Sequence, residues 1–169
     1  MSIDERPAIV DNKERVGDWE LDTIIGKNHK GAIVTAVERK TKFSCMKSVP
    51  KKEAALVTNA LIEMLEPYKN LVHTLTGDNG KEFSGHQAIA QALDAQFYFA
   101  HPYSSWERGL NENTNGLIRQ YFPKKTPLVN ITDMQVENVQ EKLNNRPRKT
   151  LDFETPQQLF SNSLVALET

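Results

Sequence analysis

The sequence has little of what membrane, secreted and disulfide-bonded proteins need. It contains one cysteine, Cys45, so an internal disulfide is excluded, which agrees with a reducing cytoplasm. Its apolar runs are only a few residues long, far below the roughly 20 residues that a membrane span requires. The first seven residues, MSIDERP, are too charged for a secretory signal. These absences predict a protein of the cytoplasm with no membrane association.

The sequence also lacks internal repeats, low-complexity tracts and a Pro/Gly/Ser-rich linker. Its 169 residues suit one domain with a sizeable core. Residues 1–16 are charged and aperiodic, and we interpret them as a lead-in arm. Residues 17–169 are then expected to form a single catalytic core.

The sequence also has no excess of positive charge: its net charge is −1. That value argues against a generic nucleic-acid binder, which should be basic. The charge is unevenly spread, however. Residues 27–52 hold eight Lys/Arg against one acid, and residues 117–150 hold seven against three. Basic flanks around an acidic, metal-filled centre would suit a phosphodiester substrate, although charge alone is more simply explained by solvated surfaces.

Hydrophobic periodicity predicts a mixed sheet. Residues 19–25 alternate, with Glu20 and Asp22 on the polar side, and buried strands are expected at 32–37 and 43–49. Short connections make these three strands an antiparallel meander. A helix ending before Pro67, a strand at 71–75, a helix at 86–93 and a strand at 96–99 follow. This α/β order, a mixed five-stranded sheet flanked by helices, is that of the ribonuclease-H-like fold.

The segment after Pro102 predicts an unusual helix. Ser104 and Glu107 stand at capping-box spacing, and Pro123 should end the helix. Its glycines and asparagines disfavour helix interiors, and locally unfavourable sequence is more often functional than structural. One helical face would carry Glu112, Asn115, Gly116 and Arg119. Further helices are expected at 132–143 and from Thr155 onward.

Three acidic residues carry most of the functional information. Asp22 lies in a strand, Asp78 follows a strand, and Glu112 lies on the unusual helix, with 55 and 33 residues between them. Each alone has an ordinary explanation as a surface, turn or solvated residue. Ligands of open sheets, however, bind beyond the carboxyl ends of strands, where Asp78 stands. Together the three carboxylates are candidates to hold two divalent metal ions, and their crowding should perturb the pKa of at least one.

Three stretches carry a resemblance to a known family. They are GDWELD (17–22), TGDNGKEF (76–83) and HPYSSWERGLNENTNG (101–116), the last continuing to RQYFPK (119–124). The chain resembles, over about residues 3–160, the catalytic core of DDE transposases and retroviral integrases, most closely the bacterial insertion-sequence family thirty transposases. The family's metal-binding triad maps onto Asp22, Asp78 and Glu112. Its basic residue seven positions after the glutamate maps onto Arg119.

The resemblance implies a polynucleotidyl transferase that cleaves DNA and joins 3′-hydroxyl transposon ends to target DNA. Asp22 would bridge two Mg²⁺ or Mn²⁺ ions, while Asp78 and Glu112 would each hold one. No covalent enzyme intermediate is required, which agrees with the lack of an obvious activated Ser, Tyr or Cys. Two alternatives stay open: a ribonuclease-H-like nuclease limited to hydrolysis, and an inactive domesticated DNA-binding or assembly module.

Double-stranded DNA, as transposon ends and target, is the expected partner, bound by a homodimer or higher oligomer near the bacterial nucleoid. The basic residue Arg119 would contact a phosphate near the metals. Candidate backbone contacts are Lys124, Lys125, Arg146, Arg148 and Lys149. Aromatic contacts to an unpaired end could come from His101, Tyr103 and Trp106, for which core packing is equally open. Asn79 could orient a metal-bound water or simply form a turn.

One departure from the family is large. Its members carry an N-terminal helix-turn-helix region that recognises the element's ends, and no stretch of this sequence resembles it. We therefore expect an isolated catalytic core, from a truncated gene or an excised fragment, without sequence-specific end binding.

Overall fold

The computed structural model describes all 169 residues and contains one five-stranded sheet with helices on both faces. The strands are β1 (Asp18–Ile25), β2 (Ala32–Glu38), β3 (Ser44–Val49), β4 (Thr74–Gly77) and β5 (Gln96–Phe99). The helices are α1 (Ala8–Asp11), α2 (Ala54–Leu65), α3 (His86–Leu93), α4 (Gly109–Arg119), α5 (Asp133–Asn144) and α6 (Pro156–Glu168). No helix combines the length and the apolar character that crossing a membrane would take.

The sheet has the order β3-β2-β1-β4-β5. The meander β1-β2-β3 is antiparallel, as its short connections predict, whereas β4 and β5 run parallel to β1. In the parallel pair, Glu20 lies beside Thr76. Because the two strands run parallel in this register, the carboxyl end of β4 lies beside the middle of β1, next to Leu21 and Asp22.

Two hydrophobic clusters cover the two faces of the sheet. The larger one packs α2 and α3 against β1, and it includes Trp19 and Leu21. Helix α6 contributes Phe160, whose ring stacks on Phe43 with centroids 4.2 Å apart. The smaller cluster joins Ile24 of β1 to residues of α4 and α5. The alternation of β1 therefore turns Glu20, Asp22 and Ile24 toward the face that α4 covers.

Most predicted elements are confirmed, with two boundary corrections. The fourth strand begins at Thr74 and not at Leu71, because residues 66–71 form a 3-10 turn in which the Leu71 carbonyl accepts a hydrogen bond from Trp19 Nε1 (2.8 Å). The predicted capping box at Ser104 is wrong. A 3-10 turn spans Ser105–Arg108, and α4 begins only at Gly109.

The N-terminal residues are more ordered than their aperiodic sequence indicates. A 3-10 turn (Ile3–Glu5) and α1 lie against the body of the protein, and Val10 is fully buried. The buried Arg6 donates to Thr76 Oγ1 (3.0 Å), and Arg39 Nε donates to the Val10 carbonyl (3.2 Å). Arg6 thus fastens these residues to β4, and Arg39 fastens them to the end of β2.

Candidate active site

Asp22 and Asp78 are neighbours because of the strand register. Extending the pairing of Glu20 with Thr76 by two residues places Asp22 beside Asp78, the first residue after β4. Asp78 Oδ1 accepts a hydrogen bond from Gly80 N (2.8 Å), which fixes the turn that ends the strand. Both carboxylates therefore stand at one edge of the sheet, as the sequence predicts.

Helix α4 is anchored across β1 by polar contacts. Asn111 donates its backbone N–H to Glu20 Oε2 (3.2 Å) and its side-chain amide to the Leu21 carbonyl (3.1 Å). One turn later, Asn115 Nδ2 donates to Asp22 Oδ2 (2.7 Å). The asparagines that make this helix intrinsically poor are thus the residues that hold it over the aspartate.

Glu112 lies on the exposed flank of α4 and borders an open cleft of about 670 Å³. The cleft also contains Asp22 and the predicted face residues Asn115, Gly116 and Arg119. No atom lies within 4 Å of where a Gly116 Cβ would stand, so the glycine leaves this flank open to another molecule. The structure thus brings Asp22 and Glu112 to one cleft, whereas Asp78 follows the adjacent strand β4 and does not line that cleft.

Arg108 lies between the two aspartates. Its Nη2 is 3.4 Å from Asp78 Oδ2, and its Nη1 is 3.7 Å from Asp22 Oδ1 and 3.4 Å from the Leu21 carbonyl. The side chain is only 14% exposed, so its charge acts in a poorly screened environment. A guanidinium thus offsets the repulsion that two adjacent carboxylates would otherwise have.

The three carboxylates are not drawn into a tight cluster: no group of three His, Cys, Asp or Glu side chains is close enough to hold a metal ion. The sequence predicts that the three carboxylates converge. In the structure the elements that carry them come together, but Arg108 lies between Asp22 and Asp78. Any cation bound by both aspartates requires the guanidinium to move aside.

The pKa of Asp22 is raised, and burial is the largest cause. Hydrogen bonds from the Thr23 backbone and Asn115, together with the charge of Arg108, partly offset this rise. Repulsion by Asp78 adds only the smallest contribution. The perturbed carboxylate expected from sequence is therefore present, but desolvation and not crowding is the main reason.

Arg119 and Lys124 border the same cleft as Glu112. Arg119 Nη2 donates to the Ile25 carbonyl (2.9 Å) and Nη1 to the Phe122 carbonyl (3.4 Å), at the end of β1. Partial burial lowers its pKa. Arg119 is thus held in place by backbone and not by a salt bridge to neighbouring acids. Lys125 is exposed nearby.

The supporting residues have separate positions. Asn79 donates to the Ala100 carbonyl (3.0 Å), so it ties the Asp78 turn to β5. His101 contacts Glu107 (2.7 Å) and Asp4 (2.9 Å), and both hydrogen bonds raise its pKa. Glu107 is therefore engaged by His101, including its backbone N–H, which is why it caps no helix.

Tyr103 and Trp106 are not core residues: they are 100% and 75% exposed. Trp106 instead borders a second cleft, on the other flank of α4, together with Arg146, Arg148 and Lys149. Arg146 Nη2 donates to the Tyr121 hydroxyl (2.9 Å), and Arg148 Nη2 donates to the Leu143 carbonyl (2.8 Å). The predicted basic residues thus fall into two groups, separated by α4.

Sequence reasoning missed Arg108 and Glu20. Arg108 precedes Glu112 by four residues, so the helix predicted from Ser104 would have placed both on one face. Glu20 is buried and forms an ion pair with Arg39. Its place two residues before Asp22, on the same strand face, is the sequence signal that could have found it, whereas its burial is visible only in the structure.

Comparisons with known proteins agree with this geometry. The sequence matches no family model. It is 54% identical over 160 residues to the transposase for insertion sequence element IS4351 of Bacteroides fragilis, covering 95% of this chain and 49% of that protein. It is 40% identical over 164 residues to the transposase InsI for IS30A of Escherichia coli (strain K12), covering 96% and 43%. The chain thus spans about half the length of these relatives.

The fold matches that of the catalytic core domain of BIV integrase. The TM-score is 0.69 at 19% identity, covering 92% of this chain and all of that one. This confirms the ribonuclease-H-like fold class expected from the element order. Sequence and fold together confirm the resemblance carried by the motifs: over nearly its whole length the chain is similar to part of insertion-sequence transposases such as that of IS30, and it has the fold of an integrase catalytic core.

Proposed function

We propose that this chain is the catalytic core of a DNA transposase, which cleaves phosphodiester bonds and joins 3′-hydroxyl ends to target DNA. The observation that carries the proposal is the placement of Asp22, Asp78 and Glu112. Strand register makes the aspartates neighbours, and Asn115 fixes the helix that bears Glu112 over Asp22. A transposase or integrase core of this family implies a divalent metal, and these three residues are our proposed ligands.

The residues fit a divalent cation. All three proposed ligands offer carboxylate oxygens, which Mg²⁺ and Mn²⁺ prefer. Asn115 Oδ1 is buried without a hydrogen-bond partner, next to the amide nitrogen that holds Asp22. Buried polar atoms normally find a partner, so an orphaned acceptor beside a carboxylate suits a site that takes up a hydrated ion. The Arg108 guanidinium now lies between Asp22 and Asp78, so it must move before a cation can bind both aspartates.

When bound, two Mg²⁺ or Mn²⁺ ions would lower the pKa of an attacking water or 3′-hydroxyl and stabilise the leaving oxygen. The chain's own residues position the reactants. Asn115 holds one oxygen of Asp22, leaving the carboxylate oriented toward the cleft. Gly116 leaves room for the DNA strand. Arg119 and Lys124 border the cleft and would contact the phosphate next to the reacting one.

Remaining contacts to DNA would come from Lys125, from the exposed Tyr103 and Trp106, and from Arg146, Arg148 and Lys149. The lysines and arginines would bind backbone phosphates without recognising sequence. The exposed rings would stack on bases of an unpaired end. We place the protein's action at the nucleoid of a bacterial cytoplasm, as a homodimer or higher oligomer that brings two DNA ends together.

The test is a joining reaction with a matched inactive variant. A labelled duplex with a 3′-hydroxyl end is incubated with supercoiled plasmid and Mn²⁺, using wild type and Asp22→Asn. We expect labelled plasmid from wild type and none from Asp22→Asn. Cleaved duplex without joined product would favour the hydrolytic nuclease instead. Failure of the wild type to bind Mn²⁺ in a calorimetric titration would favour the inactive module and overturn the proposal.

A further inference from the structure

Five cations gather on the flank of α4 that faces away from Glu112. They border an open groove of about 640 Å³, which we call the basic groove: Lys13, Lys42, Arg146, Arg148 and Lys149. A sixth basic residue of the lining, Arg39, is paired with Glu20 and is not counted among them. Two of them, Lys13 and Lys42, come from parts of the chain far from the RPRK sequence at 146–149. Only the folded structure brings the five together.

None of these five cations forms a salt bridge with a carboxylate. Every ion pair of the protein involves other basic residues. The two acids on the groove wall are already paired: Glu20 with Arg39, which lies on the same wall, and Glu107 with His101. A protein with a net charge of −1 has enough acids to neutralise such a cluster, so the uncompensated charge indicates an anionic partner.

Contacts within the groove hold several of the cations in place. Lys42 Nζ donates to Thr150 Oγ1, and Arg148 donates to the Leu143 and Arg146 carbonyls. Burial lowers the pKa of Lys42, and the charges of Arg148 and Lys13 lower it further. The like charges thus repel one another across the groove, a strain that a bound polyanion would relieve.

Helix α4 separates the basic groove from the carboxylate cleft. Its buried stripe, Asn111, Thr114 and Ile118, faces the sheet. Glu112, Asn115 and Gly116 border the cleft on one side of that stripe, whereas Leu110, Asn113 and Leu117 border the groove on the other. An α-helix with side chains is roughly 10–12 Å wide. A phosphate bound in the groove is therefore not the phosphate that lies at Asp22.

We propose that the basic groove binds a second stretch of DNA backbone, distinct from the phosphodiester that reacts at the carboxylates. This inference rests on the proposed function, because DNA as the polyanion follows from the transposase assignment. An open groove lined by five cations without carboxylate partners suits the repeated negative charge of a phosphodiester backbone. The exposed Trp106 ring at its border gives a surface on which a base can stack.

The first test is the salt dependence of DNA affinity, measured by fluorescence anisotropy without divalent ions. Lys13→Ala/Lys149→Ala removes two groove charges, and Lys51→Ala/Lys69→Ala removes two exposed charges elsewhere as a matched control. The groove variant should flatten the slope of log K against log salt by about two, with affinity reduced roughly tenfold at ~0.1 M salt. The control should keep the wild-type slope.

Equal losses in the two double variants would overturn the proposal. So would a groove variant with unchanged DNA affinity but altered self-association in sedimentation equilibrium, which would make the groove a protein interface. Metal binding is a separate readout. If wild type binds DNA through the groove but takes up no Mn²⁺, the proposed function fails and the groove stands. If Mn²⁺ binds and the groove variant loses no DNA affinity, the groove proposal fails and the proposed function stands.

The second test identifies the DNA that occupies the groove. Cysteines are introduced by Lys149→Cys in the groove, Gly116→Cys in the cleft and Lys69→Cys as a control. The native Cys45 is buried and does not compete for the tethered DNA. Thiol-tethered duplexes of two colours are then offered to the Lys149→Cys/Gly116→Cys variant. If one chain captures both colours, the groove and the cleft hold two different DNA molecules. If a single duplex is captured at both sites, the groove holds a more distant part of the DNA that lies in the cleft. Capture at Lys149→Cys no better than at Lys69→Cys would contradict the inference.

Discussion

Arg108 Nη2 lies 3.4 Å from Asp78 Oδ2, and the other terminal nitrogen of the same guanidinium lies 3.7 Å from Asp22. The arginine thus stands where our proposal places a divalent cation. Its Nε is buried without a hydrogen-bond partner. The terminal nitrogens of Arg108 thus face the two carboxylates, while its Nε–H lacks an acceptor. We therefore expect the guanidinium to be displaced readily from this position.

Arg108→Gln should bind Mn²⁺ more tightly than wild type. Removing the guanidinium removes a competing positive charge, so we expect an affinity gain of roughly three- to tenfold, in line with a partly screened ion pair. The measurement is calorimetric titration of Mn²⁺. Arg15→Gln is the control, because Arg15 also pairs with an aspartate, Asp18, which belongs to neither cleft. Equal or weaker binding by Arg108→Gln would show that Arg108 does not occupy the cation position.

Glu20→Gln should destabilise the protein strongly. Glu20 and Arg39 are both buried, and breaking such a pair strands a charge, at a cost of about 3–5 kcal/mol. The variant should also loosen the first turn of α4, because Glu20 Oε2 accepts from Asn111 N. Urea unfolding gives the free energy. The double variant Glu20→Met/Arg39→Met, which leaves no stranded charge, should recover much of the loss, and its failure to do so would contradict this account.

The pH should control how the N-terminal residues are held near α4. Hydrogen bonds to Glu107 and Asp4 raise the pKa of His101 above its ordinary 6.5. The folded state then binds the proton more tightly than the unfolded state. The stabilisation is complete below about pH 6.5 and is lost as the pH rises through the elevated folded value. Amide protection factors of residues 1–6 should fall over that range in wild type. A His101→Gln variant should show no such dependence, and an identical pH profile in both proteins would rule the tether out.

Cys45 should be unreactive in the native protein. Complete burial raises the pKa of its thiol to about 12, so almost no thiolate is present near neutral pH. Iodoacetamide should label the protein only after unfolding in urea, as measured by mass spectrometry. Rapid labelling of the folded protein would mean that β3 opens readily, and it would also require Cys45→Ser as the background for cysteine crosslinking.

Much of this fold follows from local sequence patterns. The alternation of residues 19–25 and the helical spacing of 54–65 match β1 and α2 because each has one apolar face. Leu71 and Val72 mislead, since both are buried as in a strand although Leu71 closes a 3-10 turn. Burial alone does not distinguish the two.

The candidate site could be predicted only in part. Asp22 follows from the alternation of a strand and Asp78 from the end of one, and sequence patterns locate both. The position of Arg108 depends on the 3-10 turn Ser105–Arg108, within which Glu107 binds His101. Likewise, Lys13 and Lys42 join the basic groove only through tertiary packing. Contacts between residues distant in sequence leave no periodic signal.

The central claim is that Asp22, Asp78 and Glu112 bind a divalent metal ion, and thermal unfolding with increasing Mn²⁺ tests it most directly. Ligand binding to the folded state stabilises it by mass action, by about 2.7 kcal/mol at a hundred times the dissociation constant. We predict a rising melting temperature for wild type and a much smaller rise for Asp78→Asn, whose stability without metal should differ from wild type by no more than about 1 kcal/mol. Equal Mn²⁺ shifts in the two proteins, or failure of the variant to fold, would make Asp78 a structural residue and contradict the account.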